Sequence, residues 1–396
     1  MSQLPPAVTY AQMYLPCFHA YQDELLRRLE ILVNIDSGTG QTEGVNRIMS
    51  YLEEWLREID FSVTLYPDST FGNNLLARRR GTGKARILLV GHVDTVYAPG
   101  SAQEQPFTLR DGRAYGPGVI DMKSGVVLGI YALRALVEQG FDGYGDIYVL
   151  FNNDEEVGSL GSAPLLRAVG QQVDAGLVLE GSRAIDVLTH ARKGADKYML
   201  EVSGVSAHSG VDPQSGRSAV IELAHKMIAI HNLNTIFHGV TFNVTRISSS
   251  EPLNIVPDVA RCHISVRAYT DAGLRRAAAA LEQIAAGCSV PDTHTILTHV
   301  PGRRPYVATP QVQRLVAMAQ AEGAALGLNI VAERKGGASD ANLLMEVGLP
   351  TLDSLGPVGG GPHNLSREYL VVDSLSPRGA LLAGLLQRLC LSESTG

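Results

Sequence analysis

The stretch Ile87-Leu88-Leu89-Val90-Gly91-His92-Val93-Asp94 is an apolar run broken by a glycine and followed at once by an imidazole and a carboxylate. Consecutive apolar residues without alternation read as a short strand buried on both faces, as in parallel sheets. Two more runs repeat the design: Ile147–Phe151 leads into Asn152-Asn153-Asp154-Glu155-Glu156, and Leu177-Val178-Leu179 ends in Glu180. A helical pattern over Gly125–Val137 lies between them. Upstream, residues 22–34 and Val45–Ile59 read as amphipathic helices joined by the turn Ser37-Gly38-Thr39-Gly40. Strands alternating with helices predict an α/β fold, a mixed, largely parallel sheet flanked by helices. In such sheets ligands collect beyond the carboxyl ends of the strands. His92, Glu155 and Glu180 each follow a predicted strand, so one rim can gather all three.

After about Gly194 the texture changes. Tyr198–Val202 and Ala260–Arg267 alternate in polarity as half-buried strands do, with helical stretches over Ser218–Asn232 and Ala272–Ala286 among them. We read 194–303 as an inserted α+β domain with an antiparallel sheet, and 1–193 with 304–396 as the catalytic domain. Helical patterns return at Gln311–Leu326 and close the chain around Pro377–Leu391.

At 396 residues the chain is long for a single core, which agrees with two domains. Its formal charge of −7 leaves no basic stripe for nucleic acid, and no stretch approaches the roughly 18 apolar residues of a membrane span. Met1–Pro6 has neither a cationic nor an apolar run, so the expectation is a cytoplasmic protein without a signal peptide, or a periplasmic one whose leader has been removed. Cys17, Cys262, Cys288 and Cys390 lack CxxC spacing and read as reduced thiols.

His92 and Asp94 lie two apart, so on a persisting strand they point the same way and Asp94 can accept the second imidazole N–H. Asp121 precedes Met122-Lys123-Ser124-Gly125 and a helix; it is either an N-cap or a carboxylate able to bridge two metals. Adjacent acids such as Glu155 and Glu156 after an apolar strand are costly unless metal-bound, hydrogen-bonded or exposed. One can ligate while the other serves as a base. His363 sits in the run Gly359-Gly360-Gly361-Pro362-His363. Imidazoles and carboxylates without cysteine are the ligand set of a hydrolytic metal site, and their number exceeds what one ion needs.

Taken in order, Gly91-His92-Val93-Asp94-Thr95-Val96, Tyr115-Gly116-Pro117-Gly118, Asp121-Met122-Lys123, Asp154-Glu155-Glu156-Val157-Gly158-Ser159 and Val205-Ser206-Ala207-His208-Ser209-Gly210 form a pattern. It resembles the zinc exopeptidase and deacylase family of glutamate carboxypeptidase, acetylornithine deacetylase, succinyl-diaminopimelate desuccinylase and aminoacylase. The likeness is closest to the bacterial glutamate carboxypeptidases and covers nearly the whole chain. The resemblance implies two Zn²⁺ per subunit, with Co²⁺ or Mn²⁺ as alternatives, bridged by Asp121. His92 and Glu180 would complete one ion, Glu156 and His363 the other. Glu155 would be the general base and Asp94 would orient His92; the Asp121–Met122 peptide would be cis. The inserted domain would serve as a lid and make a homodimer, its His208 reaching the partner's site to stabilise the oxyanion. Asn254, Arg267, Arg304 and Gly337 match positions near substrate, and an arginine fork suits a substrate carboxylate.

The expected activity is release of a C-terminal glutamate, or a similar amino acid, from peptidyl, folyl or N-acyl conjugates. Gly181-Ser182-Arg183 replaces a proline-containing turn of the family, no lysine follows at the usual distance although Arg192-Lys193 lies further on, and Ser218 stands where asparagine is common. These departures bear on substrate and leave N-acyl amino acid deacylation as the alternative, with a non-catalytic metal-binding relative more remote.

Overall fold

The computed structural model describes residues 9–250 and 252–392; Met1–Pro6, read above for a leader, lies outside them. Two compact units divide the chain. The larger runs to His190 and takes up again over Ala308–Arg334 and from Ser339; the smaller is Ala191–Val307 with Lys335–Ala338.

The larger unit is built on a six-stranded sheet in the order Ser62–Tyr66, Asn74–Arg80, Asp146–Asn152, Arg86–His92, Ala175–Val178, Thr351–Leu352. Arg86–His92 runs parallel to both its neighbours, and the last two strands are also parallel; the first three pair antiparallel. The mixed, largely parallel sheet expected from the apolar runs is therefore present. Leu88, Leu89 and Val90 are fully buried, as a strand covered on both faces requires. Helices Ala11–Val33, Ser124–Glu138 and Leu375–Leu391 contribute to one continuous apolar core with the central strands.

Ser124–Glu138 is buried along nearly its whole length, and Gly125 explains how it can lie so close. A Cβ at that position would come 2.0 Å from the carbonyl oxygen of Leu179, the residue before Glu180. Only glycine lets the helix start touch the end of that strand.

The first helix differs from expectation. It begins at Ala11 rather than near Gln22, with Pro16 inside it. The carboxylate of Glu322, itself fully buried, accepts the N–H groups of Tyr10 (2.8 Å) and Ala11 (2.7 Å), satisfying donors that a helix start leaves open.

The smaller unit holds a four-stranded antiparallel sheet in the order Val240–Ser249, Val259–Ala268, Gly194–Ser203, His294–Val300. Helices Ala219–Ile236 and Asp271–Ala286 share its apolar core, including Leu200, Leu223, Ile264 and Leu281. Ser218 is the N-cap of the first of these helices, its hydroxyl accepting the Ile221 N–H. Among the described residues no helix is long and apolar enough to cross a membrane.

Candidate metal centre

Three sheet strands end at the site. His92 is the last residue of Arg86–His92; Glu155 and Glu156 follow Asp146–Asn152 in a single 3-10 turn; Glu180 follows Ala175–Val178. Asp121 comes from the turn entering Ser124–Glu138 and His363 from the loop between Gly359–Gly360 and Tyr369–Val371. Asp121 does not cap the helix, whose N-cap position is Lys123; its own backbone is non-helical (φ −121°, ψ 90°), and its peptide bond to Met122 is cis.

These side chains form two groups that share Asp121. His92, Asp121 and Glu180 make one; Asp121, Glu156 and His363 make the other, each with its ligand atoms within 4.8 Å of one another. Oδ1 of Asp121 lies 3.3 Å from Nε2 of His92, while Oδ2 lies 3.2 Å from Nε2 of His363. His363 Nε2 is also 3.2 Å from Oε2 of Glu156. Oε1 of Glu180 is 3.9 Å from His92 Nε2.

His92 is buried, and its Nδ1 faces the carbonyl oxygen of Asp94 at 3.0 Å. A carbonyl only accepts, so the ring proton sits on Nδ1 and a neutral imidazole leaves the Nε2 lone pair aimed at the carboxylates. Nε2 makes no aligned hydrogen bond among the described residues. An orphaned, buried imidazole nitrogen facing two carboxylates is what a cation between them would satisfy, and the donor set suits zinc-like ions. The residues present therefore fit a metal pair.

The electrostatics agree. Burial alone would lower the His92 pKa and raise that of Asp121. The surrounding carboxylates Asp121 and Asp94 instead push His92 well above the ordinary imidazole value. The neighbouring imidazoles of His363 and His92 outweigh burial and hold Asp121 well below the carboxylate range. Contacts with Asp121 and Glu156 push His363 up to about 10. Burial keeps Glu156 above its ordinary value despite His363. Without cations, then, protons on the two imidazoles offset the crowded negative charge.

The Asp94 carboxylate meets several groups at once. Its Oδ1 is 3.3 Å from His92 Nδ1 and accepts the Glu155 N–H at 3.0 Å; its Oδ2 accepts the Glu156 N–H at 3.1 Å and the Thr39 hydroxyl at 2.7 Å. One buried carboxylate thus fixes both the histidine ring and the acidic turn. Beneath that turn Asp154 accepts from the Ser162 hydroxyl (2.5 Å) and the Gly161 N–H (2.6 Å). Asp340 accepts from Ser159 and Asn152. Thr39 and Asp154 were not singled out from the sequence for these roles.

The remaining candidates lie in the smaller unit. His208 is bridged to Ile255 beside Asn254, and its Nδ1 accepts the Gly210 N–H at 3.2 Å. Arg267 donates to the Gly336 carbonyl at 3.4 Å, and Arg192 to that of Gly337 at 3.1 Å. Arg304 is ion-paired with Asp271 at 3.1 Å. Ser339, of the larger unit, is a helix N-cap with a reciprocal capping box to Asn342.

Two carboxylate–imidazole groups sharing one aspartate, with another glutamate beside them at the carboxyl rim of an α/β sheet, define a metal-dependent hydrolase. The chain belongs to peptidase family M20/M25/M40, whose sequence profile matches residues 88–388. It is 32% identical over 382 residues to carboxypeptidase G2 of Pseudomonas sp. strain RS-16, covering 94% of this chain and 91% of that one. Succinyl-diaminopimelate desuccinylase of Delftia acidovorans is 27% identical over 399 residues, covering 92% and 97%. Among solved structures, a tripeptidase from Staphylococcus aureus shares the fold with a TM-score of 0.80 at 21% identity, covering 93% of this chain and 98% of that one. The protein is accordingly a hydrolytic metallo-exopeptidase or amidohydrolase.

Proposed function

We propose that this enzyme is a two-zinc carboxypeptidase that releases C-terminal glutamate, or a similar amino acid, from peptidyl, folyl or N-acyl conjugates. The observation that carries the reading is the sharing of Asp121 between the two ligand groups, with Glu155 held beside Glu156 by Asp94. The likeness to carboxypeptidase G2 supports the specificity.

In this reading His92 and Glu180 would hold one ion, Glu156 and His363 the other, and Asp121 would serve both. Bound there, the ions supply Lewis acidity toward the scissile carbonyl and make water a better nucleophile. Glu155 takes the proton from the attacking water as the new C–O bond forms, and returns it to the nitrogen as the C–N bond breaks. Asp94 keeps the His92 ring and the Glu155 backbone in register throughout. His208 donates toward the developing oxyanion, supplied by the inserted domain of a partner subunit in a homodimer. Asn254 and the Gly337 backbone contact the substrate, and Arg267 and Arg304 receive its free carboxylate.

N-acyl amino acid deacylation on the same machinery is the second reading, favoured by the coverage of the desuccinylase relative. Incubating zinc-loaded enzyme with peptidyl-, folyl-, N-acetyl- and N-succinyl-amino acids, with and without chelator, separates them by mass spectrometry of the products. Chelator-sensitive glutamate release is expected. Preferential cleavage of simple N-acyl substrates selects the second reading, and turnover indifferent to chelator sinks both.

A further inference from the structure

One fully buried carboxylate that belongs to neither ligand group ties together the turn carrying the shared aspartate, the loop carrying His363 and the segment that follows the strand ending at His92. Oε1 of Glu368 accepts the N–H groups of Ile120 (2.9 Å) and Asp121 (3.2 Å). Oε2 accepts the N–H of Gly118 (3.1 Å) and the hydroxyl of Tyr97 (2.5 Å). The Glu368 N–H in turn donates to Asn364 O at 2.8 Å, closing the loop that begins at His363. Tyr97 lies just beyond His92 and Asp94 in the chain.

We propose that Glu368 is a positioning residue that fixes Asp121 between the two ligand groups and so makes the site a two-metal one. Asp121 can serve both groups only while one oxygen faces His92 and the other His363. Its own N–H and those of Ile120 and Gly118 end on Glu368, so that carboxylate sets the orientation of the Asp121 backbone. The chemistry demands an acceptor on both oxygens, since each takes two donors. A glutamine would turn an NH₂ group toward two of them and leave buried donors facing a donor. An aspartate is one methylene too short to hold the turn and Tyr97 together. A buried carboxylate with a purely structural task also exists in the same unit: Glu322, which accepts the Tyr10 and Ala11 N–H groups and pairs with Arg388 at 2.6 Å.

This assignment rests on the two-metal reading, and a Co²⁺ titration separates the two. Apoenzyme is titrated with Co²⁺ while visible absorption and bound-metal stoichiometry are followed. Magnetic coupling between the ions is read by electron paramagnetic resonance. Wild type is expected to take up two equivalents with a coupled signal. E368Q and E368D are expected to bind the second equivalent about 10–100-fold more weakly and to lose the coupling, the usual size of an outer-sphere effect. E322Q is expected to lower thermal stability while leaving both equivalents and the coupling unchanged. Should E368Q fail to fold, Y97F carries the test: it removes one of the four donors and is expected to weaken the second equivalent several-fold. Folded E368Q, or Y97F in its place, with wild-type uptake and coupling overturns the role of Glu368 alone. Wild-type enzyme that takes up fewer than two equivalents overturns the two-metal reading, and this one with it.

Discussion

Glu155 and Glu156 are chemically identical neighbours, and only their surroundings give them different work. Glu156 is 3.2 Å from His363 and shares the second ligand group, whereas Glu155 belongs to neither. E155Q is therefore expected to keep wild-type metal content while turnover falls about 10²–10⁴-fold, the usual cost of losing a general base. E156Q is expected to lose metal from the group containing His363. Metal analysis alongside steady-state kinetics checks both, and an E155Q enzyme that retains turnover moves the base elsewhere. At this scale His92, Asp121, Glu156, Glu180 and His363 were legible because each is an imidazole or carboxylate at a strand end or glycine-rich turn. Glu368 and Thr39 were not. Glu368 acts mainly on backbone N–H groups and Thr39 on another side chain, through contacts that no local spacing records.

Elements show a similar division. The buried strands Arg86–His92, Asp146–Asn152 and Ala175–Val178 announce themselves as apolar runs, while Ser62–Tyr66 and Val240–Ser249 do not. The latter two lie at sheet edges and are largely exposed along much of their length, so burial leaves little imprint on their sequence. Buried charges that join elements through backbone groups are equally silent. In the smaller unit Lys226 Nζ donates to the carbonyls of Ile284 (2.8 Å), Ala285 (3.2 Å) and Gly287 (2.6 Å), closing the carboxyl end of Asp271–Ala286. Glu222, one helical turn earlier, pairs with Lys226 at 3.0 Å and accepts the Ser289 and Val290 N–H groups. Both side chains are buried, so K226M is expected to destabilise this unit by about 3–5 kcal/mol. Burial would raise the Glu222 pKa, but Lys226 and the two N–H groups outweigh it and hold the carboxyl below its ordinary value. A depressed folded-state pKa stabilises above the unfolded-state value, near 4.5, and that contribution disappears as pH falls through the lowered one. The stability gap between wild type and E222Q should accordingly be full at pH 7 and shrink below pH 4.5. Denaturant titrations by circular dichroism at both pH values measure it, and a gap that widens in acid refutes the assignment.

For the molecule as a whole, the change of texture near Gly194 marks where alternation replaces apolar runs, and the smaller unit begins close by at Ala191. That Lys335–Ala338 also belongs to this unit was illegible. The segment joins it through backbone carbonyls, Lys335 O accepting the Lys193 N–H and Gly336 and Gly337 accepting from arginines. The residues of the two candidate ligand groups, by contrast, all belong to the larger unit and come from segments scattered between His92 and His363. Ions that bind only when those segments are assembled stabilise that assembly by mass action, about 4 kcal/mol at a free concentration 1,000 times Kd. At roughly 2–4 °C per kcal/mol for a unit of this order of size, chelation should lower its melting midpoint by about 10 °C. The chain has a single tryptophan, Trp55, which is buried in the larger unit with the Arg28 guanidinium 4.9 Å from the ring centroid. Its fluorescence therefore reports the larger unit. Chelator should move the Trp55 midpoint down and re-addition of Zn²⁺ restore it, while K226M, a lesion of the other unit, leaves its response to chelator intact. A Trp55 midpoint indifferent to chelator would mean that the assembled ligand groups hold no ion in solution, and the two-metal reading would fall with it.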